Sequence, residues 1–218
     1  MSDPSNPLRA ADVRERNEKI VLRLIHGAGG RGLSQSEAVI ATGLRAPTIF
    51  RIFSSLEAAG YVRPLEASLD EEGRAERKGR PRVSYAAVRD ALYSIGVEFW
   101  VETISIGVFD FLGERVHSRL VPVPKGADAA ATAARIAAEV EDAIRELKLD
   151  RGRILGVGLG APGQVNVRRR EIAFYSRIPG MRDFPVAAVL EAALGLPVSV
   201  HNNCSVVALA ESRYGRLP

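Results

Sequence analysis

The sequence predicts an α/β protein with a winged helix-turn-helix at its amino end. Three helical segments with capping signatures fill the first 65 residues, and two short extended segments follow them. From about Leu92 the hydrophobic period becomes that of strands, and helices alternate with strands from Ala127 onwards. This alternation is typical of a sheet covered by helices. We therefore predict two domains, residues 1–88 and residues 89–218.

The first two helices are indicated by their capping residues. Asp12-Val-Arg-Glu15 is a capping-box signature, and the helix that follows extends to about Gly27. Ser34-Gln-Ser-Glu37 is a second capping box, which opens a short helix that stops at Gly43. A short helix, a turn and a second amphipathic helix form the helix-turn-helix arrangement.

The third helix has one apolar face. Pro47 suits its first turn, where a missing N–H is tolerated. Apolar residues at i, i+3, i+4 and i+7 face the core, namely Ile49, Ile52, Phe53 and Leu56. The side chains on the opposite face are the candidate DNA contacts: Arg45, Thr48, Phe50, Arg51 and Ser54.

Each candidate has a chemistry that suits a duplex. Arg51 can donate two hydrogen bonds to guanine, and Thr48 can hydrogen-bond to a phosphate or a base edge. Phe50 can make an apolar contact with a thymine methyl group. Ser34 and Gln35 are candidate phosphate contacts at a helix amino end. The alternative interpretation is a three-helix packing unit that never contacts DNA.

A basic loop follows the helices. Tyr61-Val62 and Arg82-Val-Ser-Tyr85 predict the two strands of a wing. Between them, Arg77-Lys-Gly-Arg-Pro-Arg82 carries Arg80 and Arg82 on a thin Gly/Pro segment, which suits a narrow minor groove. On its own, such a run is typical of a solvated linker.

The charge is unevenly distributed. The chain has 30 basic and 26 acidic side chains, a net charge of +4. Residues 1–89 hold 15 basic and 11 acidic side chains, so residues 90–218 hold 15 basic and 15 acidic ones. The whole excess therefore lies in the first domain, which predicts a module that binds a polyanion joined to a neutral module.

The second domain is predicted from a change of period. Strands are expected at 92–99, 101–109, 115–121, 154–159 and 197–200, and helices at 127–149, 184–194 and 205–214. No apolar run approaches the ~18 residues of a membrane helix, and the polar amino end has no signal peptide, so we expect a cytoplasmic protein without membrane contact. One cysteine and three scattered histidines predict no metal site, and Cys204 is expected to be a small buried residue.

Several segments in register resemble a known family. They are Arg14–Asn17, Gly79–Pro81, Gly158–Gly163, Ile178–Pro185, Leu194–Val198 and Asn202–Glu211. In these the chain resembles the ROK family (repressors, open reading frames and kinases), and specifically its repressors of sugar genes. The resemblance implies a winged helix followed by the first lobe of an actin-like (RNase-H-like) ATPase domain. It also implies a second lobe with a Cys/His zinc site, which this sequence does not contain.

Two departures from the family concern catalysis. Kinases of this family carry an Asp-x-Gly-Gly-Thr phosphate loop, and in this sequence Trp100 and Val101 occupy the glycine positions. The aspartate that the resemblance implies as catalytic base is Asn203, whose amide does not accept a proton. We therefore predict that the protein is not an enzyme and needs no cofactor.

The resemblance also implies a sugar site. Pro162, Gly163, Asn202 and Asn203 would line it. Arg177 stands where the family has asparagine, which favours an acidic or phosphorylated effector. The alternative interpretation, which has equal weight, is that these are plain turn residues and that no effector binds.

The sequence as a whole predicts a DNA-binding transcriptional regulator, a repressor of carbohydrate metabolism genes. It would act as a homodimer on a palindromic operator in double-stranded DNA, with a sugar or sugar-phosphate effector. Two alternatives stay open at this point: a ROK-type sugar kinase, and a truncated partner or fragment without effector response.

Overall fold

The computed structural model describes residues 10–65 and 83–215. The chain divides into two compact units, residues 1–91 and 92–218. In the first unit, α1 spans Ala10–Gly27, α2 spans Gln35–Thr42 and α3 spans Ala46–Ala58. Since α1 already includes Ala10, Asp12 lies in its first turn, and the capping box predicted at Asp12 is wrong.

The capping box at Ser34 is confirmed. The Ser34 hydroxyl accepts a hydrogen bond from the Glu37 N–H at 3.3 Å, and the Glu37 carboxylate accepts one from the Ser34 N–H at 2.8 Å. Gly43 ends α2 in the left-handed region with φ 69°. These local signals fix the turn that precedes α3.

Three short strands complete the first unit. They are β1 (Leu33–Ser34), β2 (Val62–Pro64) and β3 (Ser84–Ala87), which pair antiparallel in the order β1-β3-β2. The β2–β3 pair matches the expected wing, whereas the two-residue β1 was not predicted. The Phe53 ring meets the Tyr85 ring edge-on at 5.0 Å, which packs α3 against β3.

The second unit is built on a five-stranded sheet. Its elements in chain order are β4 (Tyr93–Phe99), β5 (Thr103–Asp110), β6 (Arg115–Pro122), α4 (Ala129–Glu146), β7 (Ile154–Ala161), β8 (Gln164–Asn166), β9 (Glu171–Phe174), β10 (Arg182–Phe184), α5 (Val186–Leu194), β11 (Val198–Asn202) and α6 (Asn203–Tyr214). The sheet order is β11-β7-β4-β5-β6. β4, β5 and β6 form an antiparallel meander, and β4, β7 and β11 are parallel.

The core lies on one face of this sheet. Alternate residues of β4, such as Ile95, Val97 and Phe99, are buried in the same cluster as Ile136 of α4 and Leu190 of α5. On the opposite face, α6 packs against β7 and β11. A second, three-stranded sheet, β10-β9-β8, is inserted between β7 and α5 and was not predicted from the sequence.

Candidate functional sites

The outward face of α3 is the candidate DNA surface. Ile49, Ile52, Phe53 and Leu56 are buried as predicted, which fixes the orientation of the helix. Of the candidate contacts on the other side, Thr48 is half-buried and these are exposed: Arg45, Phe50, Arg51 and Ser54. The Phe50 side chain is 60% exposed, which is unusual for a large apolar residue in a folded unit.

Ser34 does not belong to that surface. The residue is 4% exposed, and its hydroxyl donates to the Glu37 carboxylate at 2.8 Å as well as accepting from the Glu37 N–H. Capping uses the Ser34 side chain, and the predicted phosphate contact at the amino end of α2 stays a prediction. Hydrogen bonds from the Ser34 N–H and hydroxyl lower the pKa of Glu37. Gln35 is half-buried at the start of α2, whereas Arg80 and Arg82 lie outside the described residues.

The candidate ligand residues meet at the carboxyl ends of β7 and β11. Asn202 pairs with Ala161 in the parallel register, so it lies close to the loop that carries Pro162 and Gly163. Its side-chain amide donates to the Gly163 carbonyl at 2.8 Å and accepts from the Ser205 N–H at 3.3 Å, so it also caps α6. Pro162 is buried and Gly163 is exposed.

Gly163 is held in a conformation that requires glycine. Its φ is 77°, and a Cβ at this position would lie 2.4 Å from the Phe174 carbonyl oxygen. The loop from β7 therefore packs directly on the end of β9. This packing and the hydrogen bond from Asn202 position the loop at the edge of the sheet.

Asn203 contributes an unpaired amide. The residue is 3% exposed, and its Oδ1 accepts from the Cys204 N–H at 2.9 Å. Within residues 10–65 and 83–215, no acceptor lies within hydrogen-bonding distance of its Nδ2. Asn203 lines a groove of about 1110 Å³ on the open face of the sheet, together with Gly160 and His201. Because an unpaired buried donor costs about 1–3 kcal/mol, a bound acceptor would recover that free energy.

Two residues singled out in the sequence, Arg177 and Cys204, are both exposed. Arg177 is exposed in the loop after β9, and no hydrogen bond in the described part of the chain joins it to Asn202 or Asn203. The hydrogen bond from Asn202 brings Gly163 beside the neighbouring residues Asn202 and Asn203. Cys204 is exposed in the first turn of α6, so the expectation of a buried residue is wrong.

The turn between β4 and β5 carries Trp100 and Val101, which the resemblance aligns with the glycines of a phosphate loop. The Trp100 N–H donates to the Thr103 carbonyl at 2.8 Å, which closes a tight turn between the two strands. The Trp100 side chain is 45% exposed at that turn, and Val101 packs against the core. This turn therefore carries two large side chains at positions where glycine would leave the backbone N–H groups accessible to an anion.

Residues 10–65 and 83–215 contain neither a metal-binding cluster nor a membrane-spanning helix. There, no cluster of three or more His, Cys, Asp or Glu side chains is arranged to hold a metal ion. None of the helices in these ranges combines the length and apolar character needed to span a bilayer.

Residues 94–216, more than half of the chain, match the ROK family. The chain belongs to the ROK family. The xylose repressor of Caldicellulosiruptor bescii is 22% identical over 93% of this chain and 49% of its own length. The glucokinase of Streptomyces coelicolor is 34% identical over 56% of this chain and 36% of the enzyme. The chain spans about half the length of the first curated relatives it matches.

The fold of this ROK protein is also that of a solved relative. A ROK family transcriptional regulator, described as a homolog of the E. coli MLC protein, superposes with a TM-score of 0.71 at 20% identity. The match covers 93% of this chain and 49% of that chain, and it includes the amino-terminal unit. The five-stranded sheet and its helices thus have the actin-like fold of the family.

Proposed function

We propose that this ROK protein is a DNA-binding transcriptional regulator that represses genes of carbohydrate metabolism. The observation that carries the proposal is the outward face of α3, where Arg45, Phe50 and Arg51 are exposed opposite a fully buried apolar stripe. In a winged helix-turn-helix this face enters the major groove. A repressor among the relatives and a solved regulator with the same fold support the assignment.

The basic residues beyond the described ranges complete the proposed interface. Arg80 and Arg82 lie in the sequence between β2 and β3, and in this proposal they contact the minor groove beside the site read by α3. Thr48, Ser54 and Gln35 would contact phosphates or base edges. A homodimer would place two α3 helices on half-sites of a palindrome about 10 base pairs apart.

The second unit of this regulator is proposed to sense a sugar without phosphorylating it. Asn203 offers an amide donor where a kinase would need a carboxylate base, and Trp100 and Val101 fill the phosphate turn. Gly163 and Asn202, which a hydrogen bond joins, would form the wall of the sugar site beside Asn203. Pro162 shapes the same loop, and Arg177 would turn towards a phosphorylated effector.

The test of the DNA assignment begins with selection of bound duplexes from a random-sequence pool by the full chain. Affinity for the enriched duplex and for its scrambled version is then measured against salt concentration. Arg51→Ala should weaken binding to the enriched duplex by about 1–3 kcal/mol and reduce its preference over the scrambled one. Arg145→Ala is the matched control, since it removes the same charge from an exposed site on α4.

Two results would contradict the proposal. One is a pool with no enriched sequence together with no binding at low salt. The other is equal affinity loss for Arg51→Ala and Arg145→Ala, which would mean that only net charge matters. Phosphorylation of glucose by the pure protein in the presence of ATP would overturn the non-enzymatic part.

The effector assignment has its own test. Glucose, xylose and their phosphates are titrated into the protein by calorimetry, with Asn203→Ala and, as a control outside the groove, Arg145→Ala as the paired variants. A sugar site at Asn203 predicts binding that Asn203→Ala weakens by about tenfold, as expected for one hydrogen bond in a buried site, and that Arg145→Ala leaves unchanged. Absence of heat with all four compounds would exclude these effectors.

A further inference from the structure

A groove lies between the end of α1 and α2 in the first unit. Its volume is about 510 Å³, within the range of about 300–1,000 Å³ that is typical of ligand pockets. Leu24 and Leu33 are at least half-buried and form its floor, whereas Arg23 and Arg31 are exposed at its rim. No residue of α3 lines this α1–α2 groove, so it is distinct from the candidate DNA surface.

The α2 side of the α1–α2 groove carries an exposed apolar side chain. Ile40 is 84% exposed, more than any other large apolar residue in the part of the chain that the structure describes. A single exposed apolar side chain is common on a protein surface. Ile40 differs because it stands beside an apolar floor, so another apolar side chain placed there would contact apolar groups on two sides.

The rim of the groove has a net positive charge. Arg31 Nη1 pairs with the Glu37 carboxylate at 3.2 Å, which leaves the charge of Arg23 in excess. The Arg23 side chain forms no ion pair with any residue of the ranges 10–65 and 83–215. Its guanidinium is therefore available to an acidic occupant, which the groove attracts electrostatically.

The last residue described before position 83 lies beside this groove. A Cβ on Gly32 would lie 2.8 Å from Leu65 Cδ1, and Gly32 stands in the chain between Arg31 and Leu33, which both line the groove. The Leu65 N–H donates to the Ser84 carbonyl at 2.8 Å, so the pairing of β2 with β3 sets the position of Leu65. The chain therefore enters residues 66–82 next to the wall of the groove.

Residues 66–82, which lie outside the described residues, divide by charge in the sequence. Glu66–Glu72 contains four acidic side chains and no basic one, whereas Arg74–Arg82 contains five basic side chains and one acidic one. Leu69 is the one large aliphatic residue of this stretch, and it stands within the acidic half. An apolar residue flanked by carboxylates is complementary to an apolar floor with a basic rim.

We propose that the acidic segment Glu66–Glu72 of this same chain occupies the α1–α2 groove, with Leu69 against Ile40 and the carboxylates at the basic rim. Leu69 follows Leu65 by four residues, which span up to about 13 Å when extended. This reach exceeds the diameter of a helix, about 10–12 Å. Leu69 can therefore reach Ile40 from the position of Leu65.

The docking also has a consequence for DNA binding, and this consequence alone rests on the proposed function. Arg80 and Arg82 follow Glu72 by eight and ten positions. Carboxylates this close in the chain would repel the phosphates that the two arginines approach, over a Debye length of about 8 Å. Docking neutralises the acidic segment against the basic rim and leaves the basic half of residues 66–82 to the duplex.

The first experiment compares two cleavage rates within the full chain. A glutamate-specific protease cuts after Glu71 and Glu72, trypsin cuts after Arg77, and mass spectrometry measures each product separately. Ile40→Ser removes the apolar contact, so cleavage after Glu71 and Glu72 should accelerate about tenfold, equivalent to about 1.4 kcal/mol of lost burial. Cleavage after Arg77 should change less than about twofold, because the basic half is outside the groove in both proteins.

Two further variants separate docking from a loss of folding. Val13→Ser is the matched control, since it changes a 42% exposed β-branched residue of α1 that does not line the groove, and it should leave both rates unchanged. Leu69→Ser should reproduce the acceleration. In the Leu69→Ser background, Ile40→Ser should have no further effect, because both substitutions remove the same contact.

The occupant of the groove is identified by dilution. A segment of the same chain is present at an effective concentration of about millimolar, so protection after Glu71 and Glu72 should be equal at about 0.1 and 10 μM protein. Protection that is lost at the lower concentration would mean that a second copy or another protein supplies the occupant, and it would overturn the proposal.

DNA binding measures the consequence separately. Ile40→Ser should weaken binding to the enriched duplex about threefold at low salt, because the released carboxylates repel phosphate. The effect should vanish when the four acidic residues are neutralised by Glu66→Gln, Asp70→Asn, Glu71→Gln and Glu72→Gln. If the chain binds no duplex, the proposed function fails while the cleavage rates still decide the docking. Equal cleavage of wild type and Ile40→Ser, acceleration after Arg77 as well, or a further effect of Ile40→Ser in the Leu69→Ser background would each overturn the proposal.

Discussion

The side chain of Asn202 links the end of β11 to the loop after β7, because its Nδ2 donates to the Gly163 carbonyl at 2.8 Å. The same side chain accepts from the Ser205 N–H and so begins α6. One amide thus holds together the two chain segments that form the candidate ligand site. Asn203, the next residue, owes its position in the groove to this arrangement.

Replacement of Asn202 should therefore destabilise the second unit. Asn202→Ala removes an N-cap and one tertiary hydrogen bond, and we expect a loss of about 1–3 kcal/mol in the free energy of unfolding. Urea denaturation followed by circular dichroism measures it. Ser199→Ala, at an exposed site on the same strand, should change stability by less than about 0.5 kcal/mol. Equal effects of the two variants would show that the Asn202 hydrogen bonds contribute nothing.

Gly163 and Gly195 form a matched pair for backbone strain. Both have positive φ, 77° and 62°, but only at Gly163 would a Cβ meet backbone, at 2.4 Å from the Phe174 oxygen. Gly195→Ala should cost about 1 kcal/mol, the penalty of the left-handed conformation alone. Gly163→Ala adds a steric clash and should cost about 3 kcal/mol or more. Thermal unfolding that ranks the two variants in the opposite order would contradict the observed packing.

Glu191 predicts a pH dependence of stability. Its carboxylate accepts from the Val198 N–H at 3.1 Å and from Arg170 at 2.5 Å, and these bonds, the first above all, lower its pKa. A lowered folded-state pKa stabilises the protein above the unfolded value of about 4.3, and this contribution is lost as the pH falls through the folded pKa.

Comparison of wild type with Glu191→Gln measures that contribution. The difference in unfolding free energy should be largest near neutral pH and should shrink as the pH is lowered from about 5 to about 3. Arg170→Ala should retain most of the pH dependence, because the Val198 hydrogen bond remains. A difference between wild type and Glu191→Gln that is constant with pH would rule out the assigned hydrogen bonds as its cause.

Features encoded in short segments were predicted well from the sequence. The Ser34 capping box and the buried stripe on α3 depend on residues three or four positions apart, so their pattern is visible without the fold. The same holds for the long strands and helices of the second unit. The error at Asp12 arose because acidic residues favour both the cap and the first turn.

Features set by distant contacts could not be predicted in this way. The strands of the sheet β10-β9-β8 are three or four residues long, and their pairing depends on register rather than on pattern. Gly107, Gly96 and Gly158 lie side by side only because β5, β4 and β7 pair in this register. The unpaired amide of Asn203 and the exposure of Cys204 likewise depend on what packs around α6.

Two phenylalanines on α3 separate stability from the proposed DNA contact. Phe53 is fully buried and packs edge-on against Tyr85 at 5.0 Å, whereas Phe50 is 60% exposed. Phe53→Ala should reduce the free energy of unfolding by about 3–5 kcal/mol through cavity formation, and Phe50→Ala should change it by less than about 0.5 kcal/mol. Phe50→Ala should nevertheless weaken binding to the selected duplex, and this loss should shrink when uracil, which has no methyl group, replaces the contacted thymine. Denaturation and DNA titration of the same two samples measure both effects. If Phe50→Ala destabilises the fold or leaves DNA affinity intact, the exposed ring has a structural role and the proposed recognition face must be reassigned.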